Sequence, residues 1–405
     1  MNSNNQSISA FHTITKPIGP LCNLNCEYCF YLEKEHLYPN NHDFKMSPEV
    51  LEEYVRQYIE TQNAPEIDFA WQGGEPTLMG LDFFRRVVDL QQKYANGKKI
   101  HNAFQTNGVK LDDEWCEFLS ENHFLVGVSI DGPRKIHDSY RVFKSGKPSF
   151  DHVMAGIERL KKYQVEFNTL TCVHHNNADQ GKIIYRFLKR IGSRYIQFIP
   201  IVERTANENE GLANPQTRKH SQVTEWSVES TKYGQFLIDV FDEWIKKDVG
   251  KIFVQMFDVA LASWYGVSPG LCVYSETCGK ALAMEHNGDI YSCDHYVYPE
   301  FKLGNIMSDS LGDMVNSPFQ KKFGAQKKNG LPKYCQDCEY RFACNGGCPK
   351  HRFLQTPDGE KGWNYLCKGY KKYFKHIEPY MRFMVNELQH NRPPANVMKY
   401  RKNIG

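Results

Sequence analysis

The sequence predicts an α/β protein, a parallel sheet curved into a barrel or part of one, followed by a cysteine-rich region. Three observations carry that expectation. Short β-rich runs alternate with helical stretches over roughly the first 205 residues, and six β-then-α units imply parallel strands with helical crossovers. The unusual residues fall in the segments that follow the runs, where such folds place their chemistry. Eight of the thirteen cysteines lie from residue 271 onward, a shift in composition that marks a second unit.

In chain order the strand-like runs are FHTIT (11–15), EIDFAWQ (66–72), HNAFQT (101–106), FLVGVSI (124–130), EFNTLTCV (166–173) and YIQFIPIV (195–202). The loops after them read CNLNCEYC, GGEPT, NG, DGPRKIHDSYR, HHNN and ERTANENE. Between strands, LDFFRRVVDLQQKYA and LDDEWCEFLSEN repeat their apolar residues at helical spacing. A polar stretch over 203–230 and an apolar helical segment over 234–265 lead into the cysteine-rich region. The expected units are a barrel over 8–230, a helical linker over 231–270, a cysteine-bearing domain over 271–380 and a tail over 381–405. No solenoid-length repeat or low-complexity tract interrupts this order.

Composition limits the partners. With 41% hydrophobic and 24% charged residues and a formal net charge of +3 over 405 residues, nothing in the bulk balance calls for nucleic acid or an anionic membrane. The start, MNSNNQSISAFHTITKP, is polar, and no run of about 18 apolar residues occurs. A cytoplasmic protein is expected. Thiols there are kept reduced, so thirteen cysteines point to metal ligation or catalysis ahead of disulfides.

Cys22, Cys26 and Cys29 are spaced C-x3-C-x2-C. Three thiolates would leave one iron of a [4Fe–4S] cluster open to an external ligand, whereas a zinc site would need a fourth donor such as His36. In WQGGEPT (71–77) paired glycines allow close backbone approach to a ligand, and the Glu75 carboxylate could meet an ammonium group; a plain turn is the alternative. Downstream stand Cys272, Cys278 and Cys293, then Cys335-x2-Cys338-x5-Cys344-x3-Cys348, then Cys367. Eight thiolates suffice for two four-iron clusters or two structural zincs. Cys116 and Cys172 are expected to be small buried hydrophobes, and adjacent His174 and His175 to be one core and one surface residue.

The cysteine triad with Tyr28 before its last member, together with the GGE motif one strand later, resembles the radical S-adenosylmethionine (SAM) superfamily. The later cysteines resemble the SPASM domain. Further agreement in CNLNCEYCFYLEK, QTNG, LVGVSIDGP, NGDIYSCDHYVYPE, LGNI, CNGGCPK and NYLCKGY makes the chain similar to anaerobic sulfatase-maturating enzymes from Phe11 to about Tyr380. The resemblance implies a partial (β/α)6 radical SAM barrel followed by a SPASM domain with two auxiliary clusters, three [4Fe–4S] clusters in all, plus SAM. It places Cys272, Cys278, Cys293 and Cys348 on one auxiliary cluster and Cys335, Cys338, Cys344 and Cys367 on the other. It assigns Gly73, Gly74 and Glu75 to the SAM amino group, and Tyr28, Gln105, Thr106, Ser129, Asp131, Arg141 and Gln197 to the cofactor. Tyr31, Gln72 and Asn107 fall at substrate positions.

The activity so implied is oxidation of a serine or cysteine in a sulfatase active-site sequence to Cα-formylglycine without oxygen. A 5′-deoxyadenosyl radical takes the Cβ hydrogen, a base removes the remaining proton, and the second electron leaves through the auxiliary clusters. Asp294, directly after Cys293, matches the family's base, and enclosure away from water would raise its pKa toward that task. The implied partners are an unfolded or nascent sulfatase polypeptide and an electron donor such as flavodoxin or ferredoxin. The alternatives are a maturase forming thioethers or other crosslinks in another peptide, or a non-catalytic zinc or iron–sulfur protein. Thioether-forming maturases commonly carry a leader-binding module before the barrel, and about twenty residues precede Cys22 here.

Overall fold

The computed structural model describes residues 10–39, 43–206, 211–216 and 222–400. Of the ERTANENE loop, residues 207–210 lie outside the described residues, as do 8–9 at the expected barrel start and 401–405 at the end of the expected tail. Each strand-like run forms a strand: β1 His12–Lys16, β2 Glu66–Trp71, β3 Lys99–Thr106, β4 Leu125–Ser129, β5 Phe167–Val173 and β6 Tyr195–Pro200. They lie side by side in chain order and all pair parallel. Helices cross over between most of them, among them Leu81–Tyr94 and Asp113–Glu121, the latter started by an Asp112 side chain that accepts from the Trp115 amide.

Parity along the strands separates two faces. Phe69, Trp71, Phe104, Val126, Val128, Ile196 and Phe198 are buried in the apolar core beneath the helices. The opposite residues line the concave side, and the register carries two rows across it: Gln105 beside Gly127 and Gly127 beside Asn168, then, one step up, Ser129 beside Leu170 and Leu170 beside Gln197. A closed (β/α)8 barrel fills this space with bulky branched side chains. Here the small residues Ala70, Ala103, Gly127 and Ala283 stand on that side, with the Gln105 side chain lying over Gly127, and the expected cofactor residues Gln105, Ser129 and Gln197 all face that lumen.

The sheet does not end with the barrel. Ala281–Glu285 pairs parallel with β1, matching Ile14 to Ala283 and Lys16 to Glu285, and the antiparallel strands Asp289–Tyr291 and Lys302–Asn305 extend it to one edge. The cysteine-bearing region is therefore joined to the barrel through main-chain hydrogen bonds. At the other edge, Phe253–Val254 pairs with β6. It interrupts what the sequence suggests is one helical segment over 234–265, giving helices Ser230–Lys247 and Gln255–Tyr265. The break follows from Asp248, held by the Tyr185 hydroxyl at 2.8 Å and Lys189 Nζ at 2.5 Å, and from Gly250 at φ +76°.

The helix Cys367–Gln389 runs unbroken through residue 381, where a tail was expected, because Met381 and Met384 are buried in the core. It crosses Ser230–Lys247 at two glycines. A Cβ on Gly369 would lie 2.0 Å from the Ser230 carbonyl oxygen, and one on Gly234 would lie 2.4 Å from that of Gly369.

Candidate active site

The cluster loop leaves β1 at Lys16 and is fixed by backbone contacts. The Gly74 amide donates to the Gly19 carbonyl and the Glu75 amide to that of Leu21, both at 2.8 Å, and the Asn25 amide donates to Val142. Gly74 has to be glycine because a Cβ would lie 1.9 Å from the Leu21 oxygen, and Gly73 sits at φ +132°. Glu75 is buried and clasps the ends of β2 and β3. Its Oε1 accepts from the Thr77 amide, the Thr77 hydroxyl and the Thr106 hydroxyl, and Oε2 accepts from the Asn107 amide alone. The Asn107 side chain donates to Asn23 at 2.7 Å and lies 3.7 Å from the Cys22 sulfur. Asn107, expected near substrate, ties the loop of the three cysteines to the end of β3.

Burial pushes the Cys22 thiol up to about 12, with Glu75 and Cys29 adding to the rise, and raises Cys26 and Cys29 as well. Ligation by a metal relieves this by stabilising the thiolate. Opposite them the Tyr28 hydroxyl donates to Asp131 at 2.5 Å, and Arg141 Nε pairs with the same carboxylate at 3.0 Å. The Arg141 charge opposes the rise at Cys26 and Cys29, so a fixed cation faces the thiols. Burial pushes Asp131 up, but Arg141, His174 and His137 outweigh it and hold the carboxyl below its usual range. His174 is fully buried and stacked on Tyr28, while His175 is exposed. Cys116 is buried, as a small hydrophobe would be; Cys172 lines the cluster region, its sulfur 3.6 Å from Arg141.

On the other side of the lumen, Asp294 meets a residue the sequence reading passed over. Lys16, 1% exposed at the end of β1, places Nζ 2.5 Å from Asp294 Oδ1, the Asp294 side chain being 14% exposed. Burial raises the Asp294 pKa, yet Lys16, His295 and Lys350 outweigh it and hold the carboxyl below its usual value. The expected upward shift is thus reversed, because enclosure brought a cation with it. Lys16 also lies 4.0 Å over the Tyr31 ring, and the Tyr31 hydroxyl donates to Glu285 at 2.5 Å. Lys350 pairs with Glu203. The alternating pattern of β1 could have flagged Lys16, since it carries the inward parity of Ile14 into the cluster loop; Gln72 follows Trp71, the partner of Thr15, and so sits beside Lys16.

All thirteen cysteines are free. Those that raise one another's pKa fall into distinct sets. Burial, Cys348 and Cys272 act on Cys293, while burial leads the rise of Cys278 to about 11, with Cys348 and Cys272 contributing. Burial also leads at Cys335, followed by Cys367, and at Cys344, followed again by Cys367. Cys335, Cys338, Cys344 and Cys367 line one small cavity. Among the described residues no group of three or more His, Cys, Asp or Glu is gathered closely enough for a single metal ion. The sets are thiol-only, the donor chemistry of iron–sulfur clusters.

Residues 17–188 match the Radical SAM superfamily and residues 272–339 match SPASM, an iron–sulfur cluster-binding domain. The chain is 51% identical to the serine-type anaerobic sulfatase-maturating enzyme of Bacteroides thetaiotaomicron, covering 96% of this chain and 94% of that one. It is 33% identical to the cysteine-type enzyme of Clostridium perfringens strain 13, covering 93% and 98%. The solved structure of native anSMEcpe with bound AdoMet and Cp18Cys peptide superimposes with a TM-score of 0.83 at 32% identity, covering 94% of this chain and 100% of that one. SuiB of Streptococcus suis bound to S-adenosylmethionine, at 14% identity and a TM-score of 0.59, shares the fold.

Proposed function

The chain belongs to the anaerobic sulfatase-maturating enzymes, radical SAM oxidoreductases with a SPASM domain, and from that premise we propose how its residues divide the work. The reaction is oxygen-independent oxidation of a serine or cysteine side chain in a sulfatase peptide to Cα-formylglycine. SAM and the cluster held by Cys22, Cys26 and Cys29 would supply the radical that takes the Cβ hydrogen, and the auxiliary clusters an outlet for the second electron. Cys272, Cys278, Cys293 and Cys348 would hold one auxiliary cluster; Cys335, Cys338, Cys344 and Cys367 would hold the other.

Gly73, Gly74 and Glu75 would receive the SAM amino group, Glu75 through Oε2, which takes one protein hydrogen bond. Arg141, the cation facing the thiols, would pair with the SAM carboxylate. Gln105, Thr106, Ser129 and Gln197 would line the remainder of the cofactor, with Tyr28 and Asp131 bracing Arg141. Asp294 would take the hydroxyl or thiol proton of the substrate, with Lys16 keeping it ionised beforehand. Tyr31 and Gln72 would bound the substrate side. The observation that carries this reading is the buried Lys16–Asp294 pair: an ionised carboxylate fixed at the edge of the lumen one residue from a cluster thiol.

The stronger identity to the serine-type relative, 51% against 33%, favours serine as the target. A cytoplasmic site and a flavodoxin or ferredoxin donor complete the proposal; among the described residues no helix is long and apolar enough to cross a membrane. The test is to incubate the reduced protein with SAM and sulfatase-motif peptides carrying serine or cysteine, and to read peptide masses. Serine peptide should lose the mass of two hydrogen atoms. SAM cleavage with no aldehyde from either peptide would overturn the assignment.

A further inference from the structure

Lys34 is a buried cation for which the site described so far has no use. It lies in the 3-10 turn Leu32–Leu37, five residues beyond Cys29, and is 5% exposed. Burying an ammonium group is costly unless something answers its charge. The other enclosed lysines of the chamber have carboxylate partners, Lys16 with Asp294 and Lys350 with Glu203. Lys34 has the face of Tyr298, its Nζ 3.4 Å from the ring centroid, and no carboxylate, carbonyl or hydroxyl of the described residues accepts from it. A ring face stabilises a cation but takes no hydrogen bond.

Its surroundings show what would. Three segments converge on Lys34: the turn that follows the cluster loop, the loop after β6 that carries Glu203, and the turn after Cys293 that carries Asp294 and Tyr298. The first two are tied together by the Leu212 amide, which donates to Glu33 at 2.7 Å. The charged groups facing Lys34 are Lys350, Glu285, Asp294 and Glu203. With Lys34 itself and with Lys16, the partner of Asp294, these make three cations and three carboxylates, a balance that calls for no further negative charge and leaves a neutral acceptor favoured.

We propose that Lys34 is a substrate-binding residue whose ammonium group donates to a main-chain carbonyl of the peptide beside the residue being oxidised. This rests on the reading of Asp294 as the base, since it places the peptide between the two. The contact would order the backbone next to the target side chain so that its hydroxyl or thiol meets Asp294. Burial, with Lys350 next, lowers the Lys34 pKa to about 8 in the free protein. The group is charged below that value and loses its proton as pH rises through it, so peptide binding should weaken on the alkaline side.

The test uses the full chain with its clusters loaded and a fluorescent sulfatase-motif peptide carrying serine, followed by anisotropy. Lys34→Met should weaken peptide binding by about 10- to 100-fold, the scale of one charged hydrogen bond, with iron content and SAM affinity unchanged. Lys34→Arg should restore most of the affinity and remove the loss seen in the parent above pH 8. Peptide affinity within twofold of the parent in Lys34→Met would overturn the proposal, as would an arginine variant as weak as the methionine one. A defect that disappears when the acidic side chains of the peptide are replaced by amides would replace the carbonyl with a carboxylate and overturn it in that form. If the parent neither binds nor oxidises any motif peptide, the assigned function fails, and this inference with it.

Discussion

At the scale of single residues, the buried Lys16 holds the Asp294 carboxyl below its usual range. Asp294→Asn keeps size and much of the hydrogen bonding but removes the proton acceptor. Deoxyadenosine release precedes any need for a base and should persist, while aldehyde should fall by about a hundredfold or more, the usual scale for a positioned base. Assaying both products in one reaction checks the uncoupling, and near-normal aldehyde would move the role elsewhere. Lys16→Met asks the complementary question. It strands a carboxylate whose burial then raises its pKa unopposed by Lys16, so aldehyde should fall too, and stability should drop by about 3–5 kcal/mol, as when one member of a buried pair is removed. Adding Asp294→Asn to Lys16→Met should recover most of that stability in denaturant unfolding, because the stranded charge is gone. The cysteines stood out by spacing as ligand sets and the paired glycines as a point of close backbone approach, while their assignment to clusters and to SAM came from the family resemblance. Lys16 was legible only in part: the parity of β1 turns it inward, but its partner, 278 positions away in sequence, leaves no local trace beside it.

At the scale of elements, the six β-α units were legible because their apolar periods and loop chemistry agree. Ala281–Glu285 was not. ALAME holds weak strand formers, and its strand identity comes from lying in register against β1. The split of the 234–265 segment was equally hidden, since its hydropathy continues while Asp248 and Gly250 turn the chain. The glycine crossing between Ser230–Lys247 and Cys367–Gln389 links such packing to the proposed auxiliary ligands, because Cys367 is the first residue of its helix. Gly369→Ala would drive a methyl group to 2.0 Å from the Ser230 oxygen, a backbone atom that cannot swing aside. The helices must then separate, at a cost of about 1–3 kcal/mol for overpacking. Their shift displaces Cys367 from Cys335, Cys338 and Cys344. Iron should drop from about twelve toward about eight atoms per chain, one four-iron cluster fewer, while deoxyadenosine release in the absence of peptide survives. A full iron complement in Gly369→Ala would show that the helix end adjusts independently of the crossing.

At the scale of the whole molecule, one sheet joins the barrel to the region that carries Asp294 and the eight later cysteines. The shift in cysteine content near residue 271 is real, but it marks a change of chemistry within a shared sheet. Composition cannot show that, because strand pairing between distant segments leaves no local trace. The consequence is that the barrel and the Asp294 region are held in register by main-chain bonds, Lys16 opposite Glu285, so the lumen is completed only when both regions are present. Removing everything after residue 270 tests this. The fragment would keep β1 through β6 and the Cys22, Cys26 and Cys29 loop, but β1 would become an open edge whose unpaired amides and carbonyls invite association with other chains. Lys16 would lose Asp294, and Tyr31 would lose the Glu285 carboxylate that receives its hydroxyl. The helix Ser230–Lys247 would lose the helix that covers it, uncovering a buried face that includes Tyr233, whose ring now lies against Tyr370. The expected outcome is an aggregating fragment that retains no cluster after anaerobic reconstitution, read by size-exclusion chromatography and iron analysis. A monomeric fragment holding about four irons, the content of one cluster, would show that the barrel folds alone and that the shared sheet positions Asp294 without holding the barrel together.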